Sequence, residues 1–120
     1  MAALSAAEIS DLQGLIHQLG MDALVEVHTE AEADIALRLA CPLIGVNNRD
    51  LTTLGTTLAT SQLLLPRIAD SGALTVSESA LESRLDLDLV ESAGADAVLI
   101  GTTFCSSLDI EAKVKEVMGW

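Results

Sequence analysis

The sequence predicts an α/β fold in which four parallel strands alternate with helices, behind one extra N-terminal helix. Short segments rich in Val, Ile and Leu, at 22–28, 43–47, 73–79 and 96–101, alternate with segments whose apolar residues recur at helical spacing. Half of the residues are hydrophobic, yet there is one Phe, one Trp and no Tyr. An aliphatic core of that kind suits layered α/β packing better than a β-sandwich. No linker rich in Pro, Gly or Ser interrupts the 120 residues, which read as a single domain, 1–120.

The elements follow in order. Ser5 and Glu8 form a capping box ahead of Ile9, Leu12, Leu15, Ile16 and Leu19, and Gly20 stops that helix. "DALVEVH" is a short alternating strand. Thr29 and Glu32 form a second capping box, opening a helix with Ala33, Ala36, Leu37 and Ala40 inward, and Pro42 ends it before "LIGVN". "LATSQLLLPRI" is helical, with Pro66 expected to kink or shorten it. "ALTVSES" is the third strand, "LESRLDLDLVESAG" the next helical stretch, ending at Gly94, and "DAVLIG" the fourth strand. The last helix has Asp109 at its cap, with Lys113 and Lys115 in its last turns complementing the dipole.

Strict β–α alternation implies a parallel sheet with right-handed crossovers. The chain opens on a helix, as though a strand preceded it. Four such strands make either an open sheet covered on both faces or half of an eight-stranded barrel. Leu24, Glu26 and His28 share one face of the first strand, and Val25 and Val27 the other. A central strand of an open sheet is apolar on both faces, whereas a face carrying Glu26 fits a barrel lumen near its mouth. The expected architecture is therefore the (βα)4 half of a TIM barrel.

Composition excludes several functions. Eighteen acidic residues oppose six basic ones, a formal charge of −12, which repels nucleic acid and anionic membranes. No apolar run approaches the roughly 20 residues that span a bilayer, and the first ten residues lack the pattern of a signal peptide. Cys41 and Cys105 suggest no disulfide framework or metal site; they read as half-buried reduced thiols in a cytoplasmic protein.

The polar residues of interest fall at the C-terminal ends of the strands, which a parallel α/β architecture gathers on one side. These are Glu26 and His28, then Asn47, Asn48, Arg49 and Asp50, then Ser77, Glu78 and Ser79, then Gly101, Thr102 and Thr103. A turn accounts for one Asn or Asp in "NNRD", leaving Arg49 and a second Asn unexplained. Two glutamates on neighbouring strand ends suit acid–base work, because paired carboxyls in a dry site hold different pKa values. His28 reads as a structural hydrogen-bonder and His17 as a surface residue. "SES" and "IGTT" suit an anion: Gly101 permits close backbone approach, and the Ser79 and Thr102 hydroxyls can donate. No Walker loop or dinucleotide fingerprint is present.

Taken together, "LVEVH", "LIGVNNRDLTTL", "TVSES" and "GADAVLIGTT" resemble the C-terminal half of the indole-3-glycerol-phosphate synthase family. "GVNNRDL" is the most specific piece, and its "NNRDL" disfavours another phosphate barrel such as a phosphoribosyl isomerase. The family closes 1-(o-carboxyphenylamino)-1-deoxyribulose 5-phosphate to indole-3-glycerol phosphate, losing carbon dioxide and water, with no organic cofactor or metal. The resemblance implies that Glu26 is the general base of the dehydrating stage. It also implies that Asn47 orients the substrate, that Glu78 contacts it, and that Ser79, Gly101 and Thr102 bind its phosphate. Arg49 and Asp50 are expected to brace the loop as an ion pair. Where the family pattern has Gly after "SES", this chain has Ala80, whose methyl opposes a positive φ. The family's catalytic lysines and a further glutamate belong to the first and third barrel strands, outside this match. Little or no turnover is therefore expected from the chain alone. The expected partners are a sugar phosphate or phosphate ion, and either a second copy or a complementing N-terminal half-barrel.

Overall fold

The computed structural model describes residues 3–120; Met1 and Ala2, the start of the expected domain, lie outside the described residues. Hydroxyl side chains start three of the helices. Helix α1 (Ala6–Gln18) begins at the Ser5–Glu8 capping box, and α2 (Glu30–Arg38) at the box of Thr29 and Glu32. A third box, Ser83 with Asp86, opens α4 (Arg84–Ser92). Ser83 has extended backbone, so the helix starts after it and not at residue 81. Helix α3 (Ala59–Ala69) runs through Pro66 instead of ending there. Pro66 and Gln62 are both exposed, so water can take the bond that the ring removes.

After α2 the chain departs from expectation at Ala40. This residue is exposed, not inward, because it turns the chain toward Pro42 with a left-handed φ of 51°. A one-turn helix, α5 (Thr102–Cys105), precedes α6 (Ile110–Met118), which Asp109 caps by accepting from the Ala112 amide at 2.9 Å. Lys115 lies in the last turn of α6, but Lys113 lies one turn from its start and cannot complement that end of the dipole.

The strands are β1 (Val25–Val27), β2 (Leu43–Asn47), β3 (Leu74–Glu78) and β4 (Ala97–Leu99), all parallel and in the order β1-β2-β3-β4. Sequential order with right-handed crossovers puts the helices on one face. On that face Val25, Val27, Ile44, Val46, Thr75 and Ser77 are buried against Ala33, Ala36, Leu64, Leu65, Ile68 and Val90. The other face is open: Glu26 is exposed, Leu74 is 60% exposed and Leu99 53%. A doubly wound sheet would cover both faces, so this is the half-barrel arrangement. Of the α1 stripe only Ile9 is buried, while Leu12, Leu15 and Leu19 face solvent. The two thiols differ: Cys41 is buried and Cys105 exposed, and both are free. Among the described residues, no helix is long and apolar enough to cross a membrane.

Candidate active site

The register of the sheet dictates which strand-end residues meet. Asn47 pairs with Glu78, and Glu26 with Gly45, so the side chains of Glu26, Asn47 and Glu78 project toward the open face, where Gly45 leaves a gap between them. Asn47 Nδ2 donates to Glu26 Oε2 at 3.4 Å, while its Oδ1 accepts from the Arg49 amide at 2.9 Å. One side chain thus closes the turn after β2 and holds the carboxylate of β1. His28 approaches the Asn47 carbonyl through Nδ1 at 2.7 Å, a structural bond between the same two strands.

Glu78 is buried, 3% exposed, with its Oε1 lacking any hydrogen-bond partner. Its carboxyl fills the space over Gly45, the register partner of Glu26, and two carboxyls brought together there can hydrogen-bond only if one keeps its proton. Burial first, and then the Glu26 charge and hydrogen bond, push the Glu78 pKa up to about 7. A carboxyl poised there can donate or accept a proton near neutrality.

Glu78 also opens into a cavity of about 570 Å³ lined by Ser79, Gly101 and Thr102, with Arg49 and Lys113 supplying positive charge. The candidate residues therefore form two groups joined by Glu78. Glu26 and Asn47 stand on the β1 side with Asp50, in a separate depression, and the hydroxyl and glycine residues stand on the β4 side. Thr103 Oγ1 donates to the Leu81 carbonyl at 2.7 Å, tying α5 to the loop after β3.

Arg49 and Asp50 do not form the expected ion pair. Arg49 Nη1 donates to the Leu54 carbonyl at 3.1 Å, and Asp50 Oδ1 accepts from the amides of Thr52 and Thr53 at 2.7 and 3.3 Å. Those amides hold the Asp50 carboxyl below its ordinary range. Each residue braces the loop through backbone because the loop folds back on itself, with Arg49 bridging Thr56.

Sequence reasoning left Asn48 without a role, and its role is structural. Fully buried, it donates from Nδ2 to Ser77 Oγ at 3.1 Å and to the Ser79 carbonyl at 3.3 Å. Its Oδ1 accepts from the Ser61 amide at 3.0 Å, serving as the cap that Leu58 cannot provide for α3. Ser79 and Ala80 both adopt positive φ, 65° and 61°, so the methyl of Ala80 strains this turn without preventing it. Lys113 was legible as a cavity residue only from helical spacing, four positions before the buried Val117. Among the described residues no group of His, Cys, Asp and Glu is placed to hold a metal ion.

Comparison with known proteins shows the family. The family model described as indole-3-glycerol phosphate synthase matches residues 1–117. The indole-3-glycerol phosphate synthase of Dehalococcoides mccartyi is 42% identical over 118 residues, covering 98% of this chain and 45% of that protein. Its counterpart from Azoarcus sp. is 40% identical over 119 residues, covering 98% and 45%. The one from Laribacter hongkongensis is 42% identical over 109 residues, covering 91% and 41%. The chain thus spans under half the length of the curated relatives it matches. It belongs to the indole-3-glycerol phosphate synthase family and corresponds to part of such a protein.

Proposed function

We propose that this chain is the C-terminal half of an indole-3-glycerol-phosphate synthase and carries one half of its active site. The observation that supports this is the meeting of Glu26, Asn47 and Glu78 beside a cavity lined by Ser79, Gly101 and Thr102. In this reading the cavity takes the phosphate of 1-(o-carboxyphenylamino)-1-deoxyribulose 5-phosphate through backbone amides and hydroxyls, with Arg49 and Lys113 nearby. Asn47 orients the substrate. Glu26 removes a proton in the dehydrating stage, and Glu78 contacts the substrate from its dry position. The general acid that starts ring closure comes from a lysine of the other half, so the chain alone is inactive. The proposed location is the cytoplasm, where both free thiols stay reduced.

The open sheet face, with Leu74 and Leu99 exposed, favours a cover. That cover is a complementing N-terminal half-barrel or, in a second reading, another copy of this chain. Purified chain given the anilino-deoxyribulose phosphate is expected to yield no indole fluorescence; substantial turnover would overturn the half-site reading. Sedimentation at micromolar concentration is expected to show a dimer if the second copy is the cover, and a compact monomer would exclude that arrangement.

A further inference from the structure

We propose that Gly45 is a positioning residue: its missing side chain opens the seat that holds the Glu78 carboxyl against Glu26, so that the two share one proton. Gly45 lies in the middle of β2, beside Glu26 in register and one layer below Asn47 and Glu78. Its backbone is not left-handed, so conformation gives no reason for glycine here. Glycine inside a strand weakens it, which calls for a local cause. The cause is space. A Cβ at Gly45 would overlap Glu78 Oε1 outright and stand 3.0 Å from Glu78 Cδ and 3.3 Å from Leu24 Cδ1.

Glu78 therefore folds back along its strand into the place a side chain would fill. That place is dry, and it leaves Oε1 with no partner. Because Gly45 is the register partner of Glu26, the same placement brings the carboxyl beside Glu26, whose Oε2 already accepts from Asn47 Nδ2. Two carboxyls hydrogen-bond each other only while one keeps its proton, and the drier group, Glu78, is the one to keep it. The other charged groups around the cavity are Arg49, Glu82 and Lys113. Arg49 bonds the Leu54 carbonyl and Lys113 pairs with Glu116, so neither neutralises Glu78.

The atom that a Gly45 methyl would meet is the far end of a flexible side chain, so Gly45→Ala should fold while expelling the carboxyl. What the carboxyl pair does to a substrate rests on the function proposed above; the seat and the shared proton are tested without it. Carbon-13 NMR titration of glutamate carboxyls in the full chain, with Glu78 assigned by Glu78→Gln, reads them directly. In the unaltered chain Glu78 is expected to titrate near 7. In folded Gly45→Ala it should return to the ordinary glutamate value of 4.5. An ordinary value in the unaltered chain, or an unchanged one in folded Gly45→Ala, would overturn the proposal. Should Gly45→Ala not fold, Gly45→Ala/Glu78→Ala should, since the obstructed carboxyl is gone. Failure of that double variant to fold beside a folded Glu78→Ala would overturn it equally.

Discussion

Glu78 concentrates the cost and the use of this site in a single carboxyl. Its pKa when folded, about 7, lies above its ordinary value of 4.5, so between those values the folded chain binds more protons than the unfolded one. The stability this group contributes is fully present below 4.5 and is lost as pH rises through 7. Between pH 5 and 8 the chain should lose on the order of 2 kcal/mol relative to Glu78→Gln, which cannot titrate. Urea denaturation of both proteins at the two pH values checks this. At Ala80, Ala80→Gly relieves a positive φ and should raise stability by about 0.5–1 kcal/mol, read as a higher urea midpoint at unchanged slope. Neither feature was fully legible in the sequence. "SES" read as a polar turn because the burial of Glu78 depends on Gly45 in another strand, a contact with no local pattern. The Ala80 strain was legible only because the resemblance put glycine there.

At the scale of elements, the loop after β2 and the start of α3 depend on one buried side chain. Asn48 replaces the missing N-cap of α3 and holds both Ser77 and Ser79. Asn48→Ala would strand these groups in a dry interior, destabilising the chain by about 3 kcal/mol. Asn47→Ala, which removes a 3.4 Å bond to an exposed carboxylate and a 2.9 Å bond from the Arg49 amide, should cost less, about 1–2 kcal/mol. Chemical denaturation of the two variants side by side separates them. Helix starts with a local code were readable, as Ser5 and Thr29 demonstrate. The start of α3 was not, because its cap comes from a residue outside the helix. Ala40 misled for a related reason: its apolar side chain fits the helical stripe, while its backbone serves the turn.

At the scale of the whole molecule, the architecture was the most legible feature, since β–α alternation and a single polar strand face are properties of order and period. The one-sided burial of the sheet follows from them, as do the exposed leucines of α1 and of the open face. Less could be read about the meeting of the site residues, because depth and side-chain direction decide it. Glu26, Asn47 and Glu78 meet, and Glu78 joins Ser79, Gly101 and Thr102, whereas Arg49 and Asp50 turn to their own loop. The central claim is that this is half of a catalytic site, completed by another half-barrel. Its most direct test mixes the chain with a separately produced N-terminal half of a family member and follows indole fluorescence from the anilino-deoxyribulose phosphate. No signal is expected from either half alone, and indole-3-glycerol phosphate is expected from the mixture, abolished by Glu26→Gln. Substantial turnover by this chain alone would contradict that claim.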